Sequence, residues 1–254
     1  MTAMLLAIVV SGEGQNRGWG EAYFGKDDMP DGTVYLPRHP RPGTAEFTRD
    51  SLQYEWGKSV RETERGAQAK RDADCSPQGM AKYYSGVMGV SIEDSLPALY
   101  HLLGRVCPTA SNATSRVKRH YNRTRPFVHF GESSLTPDGE KELRRNGSYP
   151  SGHTAIGWAT ALVLMEICPE IQDTLLALGY EFGQSRVICG VHYQSDVDAG
   201  RMVGGAVLSL MHRSAEFEAD MKAAKDEIAK VTGGRRGRPV LRSKGRERHR
   251  LRGR

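Results

Sequence analysis

The chain has few of the features that mark several large protein classes. It holds four cysteines in 254 residues, Cys75, Cys107, Cys168 and Cys189, and none are spaced as CxxC. That argues against a zinc ribbon or a thioredoxin-like motif. An even count allows two disulfides in an oxidising compartment and equally allows four buried thiols. No apolar run reaches the roughly 20 residues that a membrane-spanning helix needs. The histidines show no HExxH or comparable ligand spacing, so no metal and no cofactor are expected. Strand-like alternation is scarce and internal repeats are missing, which points to an all-α fold.

Charge is present but unevenly placed. Residues 235–254 hold ten Lys or Arg against one Glu, a local charge of +9. The whole chain carries +6, so residues 1–234 carry −3. The high isoelectric point therefore belongs to a solvated tail, and the body is mildly acidic. The tail leaves open a contact with nucleic acid or an anionic surface. Such runs are more often disordered. At the other end, Met4–Val10 is apolar and is followed by Ser11-Gly12. It resembles the core of a secretory signal without a basic start, which implies a periplasmic or secreted protein.

Between these ends the pattern is helical. Residues 13–45 are rich in Gly, Pro and charge and read as an irregular or disordered lead-in. The pattern over 47–73 is polar and helical, with Leu52, Trp56 and Val60 recurring every four residues. Ser76-Pro77-Gln78-Gly79 reads as a break. Ser95 before Pro97 reads as a helix start, with Leu99, Leu102, Leu103 and Val106 buried. A further helix is expected over 109–123, with Ala110, Ala113, Val117 and Tyr121 on one stripe, and a small charged one near 137–145. Residues 154–167 are apolar almost all round and predict a central helix buried on every side. Helices over 171–183, 196–211 and 216–231 follow. In the second of these, Gly200, Gly204 and Gly205 would allow close helix approach. In the third, Phe217, Met221, Ala224 and Ile228 share one face. The expected division is a leader and lead-in over 1–45, a helical domain over 46–232 and a basic tail over 233–254.

Three segments concentrate groups that bind or attack an anion: Lys118 to Pro126, Tyr149 to Thr154, and Ser185 to Asp196. Pro150-Ser151-Gly152-His153 leads into the buried helix, whose N-terminus is a ready anion site. Gly152 leaves that approach open, and Ser151 can donate a hydroxyl hydrogen bond. His192 and Asp196 are four apart, so a helical turn would place carboxylate and imidazole together and fix the tautomer. Arg125 and Arg186 can grip phosphate oxygens in a fork, and Lys118 adds a point charge.

These segments resemble the signature of the type-2 phosphatidic acid phosphatase superfamily, which also holds the vanadium haloperoxidases. Lys-x6-Arg-Pro is filled by Lys118, Arg125 and Pro126, Pro-Ser-Gly-His by 150–153, and Ser-Arg-x5-His-x3-Asp by Ser185, Arg186, His192 and Asp196. Gly147–Thr154 and Ser185–Gly190 are similar, more narrowly, to the bacterial class A non-specific acid phosphatases. The likeness runs from about Leu52 to Leu210. It implies a helical bundle around a buried central helix and metal-independent hydrolysis of a broad range of small phosphate monoesters. It implies His192 as nucleophile through a phosphohistidine, His153 as general acid and Asp196 as the residue orienting His192. Lys118, Arg125, Ser151, Gly152 and Arg186 would hold the phosphoryl oxygens. A homo-oligomer is compatible with this, and oxidation of halide with vanadate is the alternative chemistry. A binding protein acting through its tail is the alternative from another class.

Taken singly, these residues have bland readings. Arg119, His120 and Arg123 read as a solvated helix face. Asp72 and Asp74 read as capping or solvating a helix rather than holding a divalent cation.

Overall fold

The computed structural model describes residues 19–233. The signal-like run at 4–10 and the Arg-rich tail from 235 lie outside the described residues. Within them there is no strand. The longer helices are α1 (Ala45–Ser59), α2 (Glu64–Arg71), α3 (Pro77–Met88), α4 (Pro97–Asn112), α5 (Ser115–Tyr121), α6 (Gly152–Ile167), α7 (Gln172–Ile188), α8 (Gln194–Met211) and α9 (Ala215–Gly233). The all-α expectation holds, and no helix is long and apolar enough to cross a membrane.

Helix α6 is the axis of the bundle. Ala155, Ile156, Ala159, Ala161, Val163 and Leu164 are buried, and past the first turn only one side, with Trp158, Leu162, Met165 and Glu166, is partly exposed. Helices α7, α8, α4 and α9 pack on it. Small residues permit the closeness: a Cβ on Gly179 would lie 2.5 Å from Ala161 Cβ, and one on Gly200 would lie 2.6 Å from the Ser151 carbonyl oxygen. Gly204 is similarly close, at 2.9 Å from the Ala155 carbonyl oxygen, but Gly205 faces open space and plays no such part.

Helix α4 buries Leu99, Leu102, Leu103 and Val106 as expected, each apolar side chain contributing about 1.5–3 kcal/mol. Its start differs from the sequence expectation. Ser95 closes a one-turn helix, Ile92–Ser95, and Leu96 stands at the cap without a side-chain bond. The exposed N–H groups are met from across the fold by Glu227 of α9, whose carboxylate accepts from Ala98 N and Leu99 N at 3.0 Å each.

Helix α4 also runs on through Pro108 to Asn112, where a new helix was expected from 109. Proline has no N–H to give the carbonyl four residues back. That carbonyl, of Gly104, accepts from Gly20 N at 3.0 Å instead. Thr109 Oγ1 donates to Arg105 O and accepts from Tyr23 N at 2.9 Å. The lead-in from residue 19 is therefore docked. Tyr23 lies under Arg105, 4.1 Å from the guanidinium carbon to the ring centre, and donates to Asp220 at 2.6 Å. Met29 and Leu36 are core residues.

Two further expectations change. The residues over 47–73 form two helices, α1 and α2, and the buried face of α1 is Asp50, Tyr54 and Gly57. Leu52 and Trp56 are exposed. Ser76 begins a helix rather than a break: its Oγ accepts from Gly79 N at 3.0 Å, and Pro77 occupies the first turn. All four cysteines are buried thiols.

Candidate active site

The three motif segments converge at the N-terminal ends of α6 and α8. Ser151 caps α6, its Oγ accepting from Thr154 N at 3.2 Å. Ser151 N donates to the Asp196 carbonyl oxygen at 2.8 Å, which ties the two helix starts together. The N–H groups of Gly152 and His153, in the first turn, have no intrahelical acceptor and carry the positive end of the helix dipole. A Cβ on Gly152 would lie 3.2 Å from Thr114 Oγ1 and 3.7 Å from Lys118 Cε, so the residue sits against the lysine.

Helix α7 runs into a turn at Gly190, whose φ is +76° and where a Cβ would strike Arg61. The chain then delivers His192, and α8 begins with Tyr193 as its cap. Asp196 Oδ2 accepts from Tyr193 N at 2.9 Å and faces His192 Nδ1 at 3.4 Å. His192 Nε2 lies 3.1 Å from Arg125 Nη1. A guanidinium only donates, so Nε2 offers a lone pair and the proton sits on Nδ1, toward Asp196. Burial and the charges of Arg125 and Lys118 hold His192 well below the ordinary histidine range, against Asp196. Burial alone would raise Asp196. Arg123, His192 and the Tyr193 N–H overcome it and keep the carboxylate low.

Arg125 is oriented by main-chain carbonyls. Its Nε donates to Leu143 O at 2.9 Å and Asn146 O at 3.0 Å, and Nη1 to Val191 O at 2.9 Å. A free two-pronged grip by Arg125 is therefore not what the geometry offers, because only Nη2 is loosely held, 3.5 Å from Gly147 O. Burial pushes Arg125 down to about 10. Lys118 Nζ donates to Gly147 O at 2.8 Å, and burial with Arg125 beside it pushes the ammonium well below the usual lysine range. Arg186 differs: the residue is buried, and its Nε and Nη1 have no hydrogen-bond partner. A buried guanidinium left in that state costs stability unless an anion meets it.

His153 stacks on Phe182, with ring centres 4.6 Å apart, and its Nε2 lies 2.6 Å from the Asp72 carbonyl oxygen. Asp72, read as a capping residue, is instead a buried hub. Its carboxylate accepts from Ser185 Oγ and Gln68 Nε2 at 2.5 Å each, and burial raises it above the usual carboxylate range.

The largest departure from the sequence expectation is Arg123. It is 5% exposed, with Nη1 2.6 Å from Asp196 Oδ1 and Nη2 2.8 Å from Asp50 Oδ2. Helix α5 ends at Tyr121, and Asn122 takes a left-handed conformation, φ 39°, that turns the next residue inward. Arg119 and His120 are exposed as expected. Among the described residues no group of three or more His, Cys, Asp or Glu could hold a metal.

Comparison with known proteins agrees with this geometry. The PAP2 superfamily pattern matches residues 98–219. A non-specific acid phosphatase of Providencia stuartii is 45% identical over 211 residues, 82% of this chain and 85% of that protein. One from Salmonella typhimurium is 38% identical over 82% of this chain and 84% of its own. An acid phosphatase of Zymomonas mobilis is 34% identical over 79% of this chain and 76% of its own. The motif residues, the helical bundle and these relatives together show that the chain belongs to the PAP2 superfamily, among its bacterial non-specific acid phosphatases.

Proposed function

We propose that this acid phosphatase cleaves small phosphate monoesters through a phosphohistidine on His192, without a metal and with little demand on the alcohol. The observation that carries this is the pair at His192. Nδ1 faces a buried carboxylate, and Nε2 carries a lone pair beside Arg125. A phosphoryl group held by Arg186, Arg125, Lys118 and the first N–H groups of α6 presents phosphorus to Nε2. Nε2 forms the P–N bond as the P–O bond to the alcohol breaks, and Asp196 balances the positive imidazole that results. His153 supplies a proton to the leaving oxygen. Its Nε2–H is given to Asp72 O, so Nδ1 carries the proton that moves. Water then attacks phosphorus, His153 takes back a proton, and His192 is released with phosphate. Cationic side chains do the charge neutralisation that a metal performs in other phosphatases.

The test is rapid quenching with a radiolabelled phosphate ester. Native enzyme should hold label that is acid-labile and alkali-stable, and His192→Ala should hold none and lose turnover. Label persisting on His192→Ala would overturn the assignment. Turnover lost to chelator and restored by zinc or magnesium would overturn the metal-free mechanism.

A further inference from the structure

We propose that Arg123 and Asp50 are positioning residues of the reaction, setting the orientation and charge of Asp196 and through it the basicity of His192. The inference rests on His192 being the nucleophile. Its basis is a continuous chain of buried polar groups. Asp50 of α1 is 2% exposed, Arg123 5% and Asp196 0%. Arg123 bridges the two carboxylates at 2.8 and 2.6 Å and also donates to Ser195 Oγ at 2.8 Å. Its guanidinium carbon lies over the Tyr193 ring, 4.0 Å from the centre. Asp50 accepts from Ser195 N at 2.9 Å and Ser195 Oγ at 2.6 Å, so it also closes the first turn of α8 from outside.

The distances rank the contacts of Asp196. Its short bond is to Arg123, at 2.6 Å, and its contact with His192 is long, at 3.4 Å. Arg123 takes Oδ1 and draws charge away from the oxygen that faces the nucleophile. Only Oδ2 is left for His192, and Oδ2 is shared with Tyr193 N. A bare Asp–His pair would share charge more evenly and make the imidazole more basic. Asp50 in turn neutralises Arg123, which would otherwise add to the positive field of Lys118, Arg125 and Arg186. His39, on the lead-in, also lies within the field of Arg123 and Asp196. No group in the Asp50–Arg123–Asp196 chain is placed to touch a substrate on Nε2, which is why these residues position rather than catalyse.

Opposite charges at the two sites give opposite outcomes. Arg123→Gln frees Asp196 to pair with His192, so the acidic limb of the kcat profile should move up by about one pH unit. Asp50→Asn removes a negative charge, so that limb should move down. Both should lower kcat, roughly tenfold to a hundredfold for Arg123→Gln, with KM little changed. Arg123→Lys should recover part of the loss. The expected double variant, Asp50→Asn with Arg123→Gln, returns the limb toward its native position. Circular dichroism identifies folded variants, and Asp50→Asn keeps an acceptor for Ser195 if Arg123→Gln is poorly folded. Folded variants with an unmoved limb, or with limbs moving the same way, would overturn the proposal. Native enzyme is quenched alongside: absence of acid-labile phosphate on it would sink the phosphohistidine, whereas an unmoved limb with phosphoenzyme intact sinks only the positioning role.

Discussion

The two histidines of the site are separated by the groups that hold them. His192 is enclosed by cations and held neutral, with its lone pair on Nε2. His153 rests on an aromatic face and gives Nε2 to a main-chain carbonyl. This division gives each a different sensitivity to the substrate. His153→Asn should cost on the order of 10² to 10⁴ in kcat/KM, which reports the steps up to departure of the alcohol, with alkyl phosphates, whose leaving oxygen must be protonated. With nitrophenyl phosphate the loss should be much smaller. Comparing the two substrates on one variant checks this, and equal losses would mean that His153 holds phosphate instead of donating a proton. His153 was visible in the sequence through its place in Pro-Ser-Gly-His. Arg123 was not, because two residues before a motif arginine a basic side chain on a predicted helix reads as solvated. Its inward turn depends on the left-handed Asn122, and its partner Asp50 is 73 residues away.

At the scale of elements, the start of α6 is placed by the closeness of α8. Gly200 lies against Ser151, and a side chain there must push the two helices apart. Gly200→Ala should destabilise the protein by about 1–3 kcal/mol and lower activity, since it displaces the residue that caps the site. Gly205→Ala is the control. With nothing within 4 Å of its Cβ position, it should be neutral or stabilise by up to about 1 kcal/mol through helix propensity. Urea unfolding of both variants, with assays on each, makes the comparison. Similar destabilisation by both would show that close approach is not what Gly200 provides. The glycine pattern announced a packed helix, but it could not say which glycines touch the neighbour. Of the Leu52–Trp56–Val60 stripe only Val60 meets the core, for a related reason. The neighbour of α1 is the polar chain at Asp50 and the Val187 carbonyl beside Gly57, so the buried side of that helix is not its apolar side.

For the whole molecule, the gathered cations are a cost of folding that an anion offsets. The native value of His192 lies below its unfolded value of about 6.5. The unfolded chain therefore binds more protons in acid, and this contribution to stability is present above about pH 6.5 and declines below it. Asp196 acts in the same sense at lower pH, below its unfolded value of about 3.9. Lys118 is likewise held from its charged form by burial. Phosphate in the site favours the protonated forms of both Lys118 and His192. Inorganic phosphate at about 100 times its Kd should add roughly 2.7 kcal/mol, raising Tm by about 5–10 °C. Arg186→Ala, which removes the guanidinium whose Nε and Nη1 lack a partner, should abolish most of that rise in a thermal melt. The same rise in the variant would place the bound phosphate elsewhere.

The sequence by itself determined the helical class, the central helix, the family and the pairing of His192 with Asp196. Each of these is encoded locally, in an apolar run, a cap or a spacing of a few residues along one turn. The tertiary structure alone decided the docking of the lead-in, the capping of α4 by Glu227, and the Asp50–Arg123–Asp196 chain. Those depend on groups more than 70 residues apart meeting in space: Pro108 leaves the Gly104 carbonyl without its helical donor, and Gly20 supplies one; α4 presents bare N–H groups, and α9 brings a carboxylate to them. No local pattern states which distant residue will answer a local need, because the partner is chosen by how the helices pack.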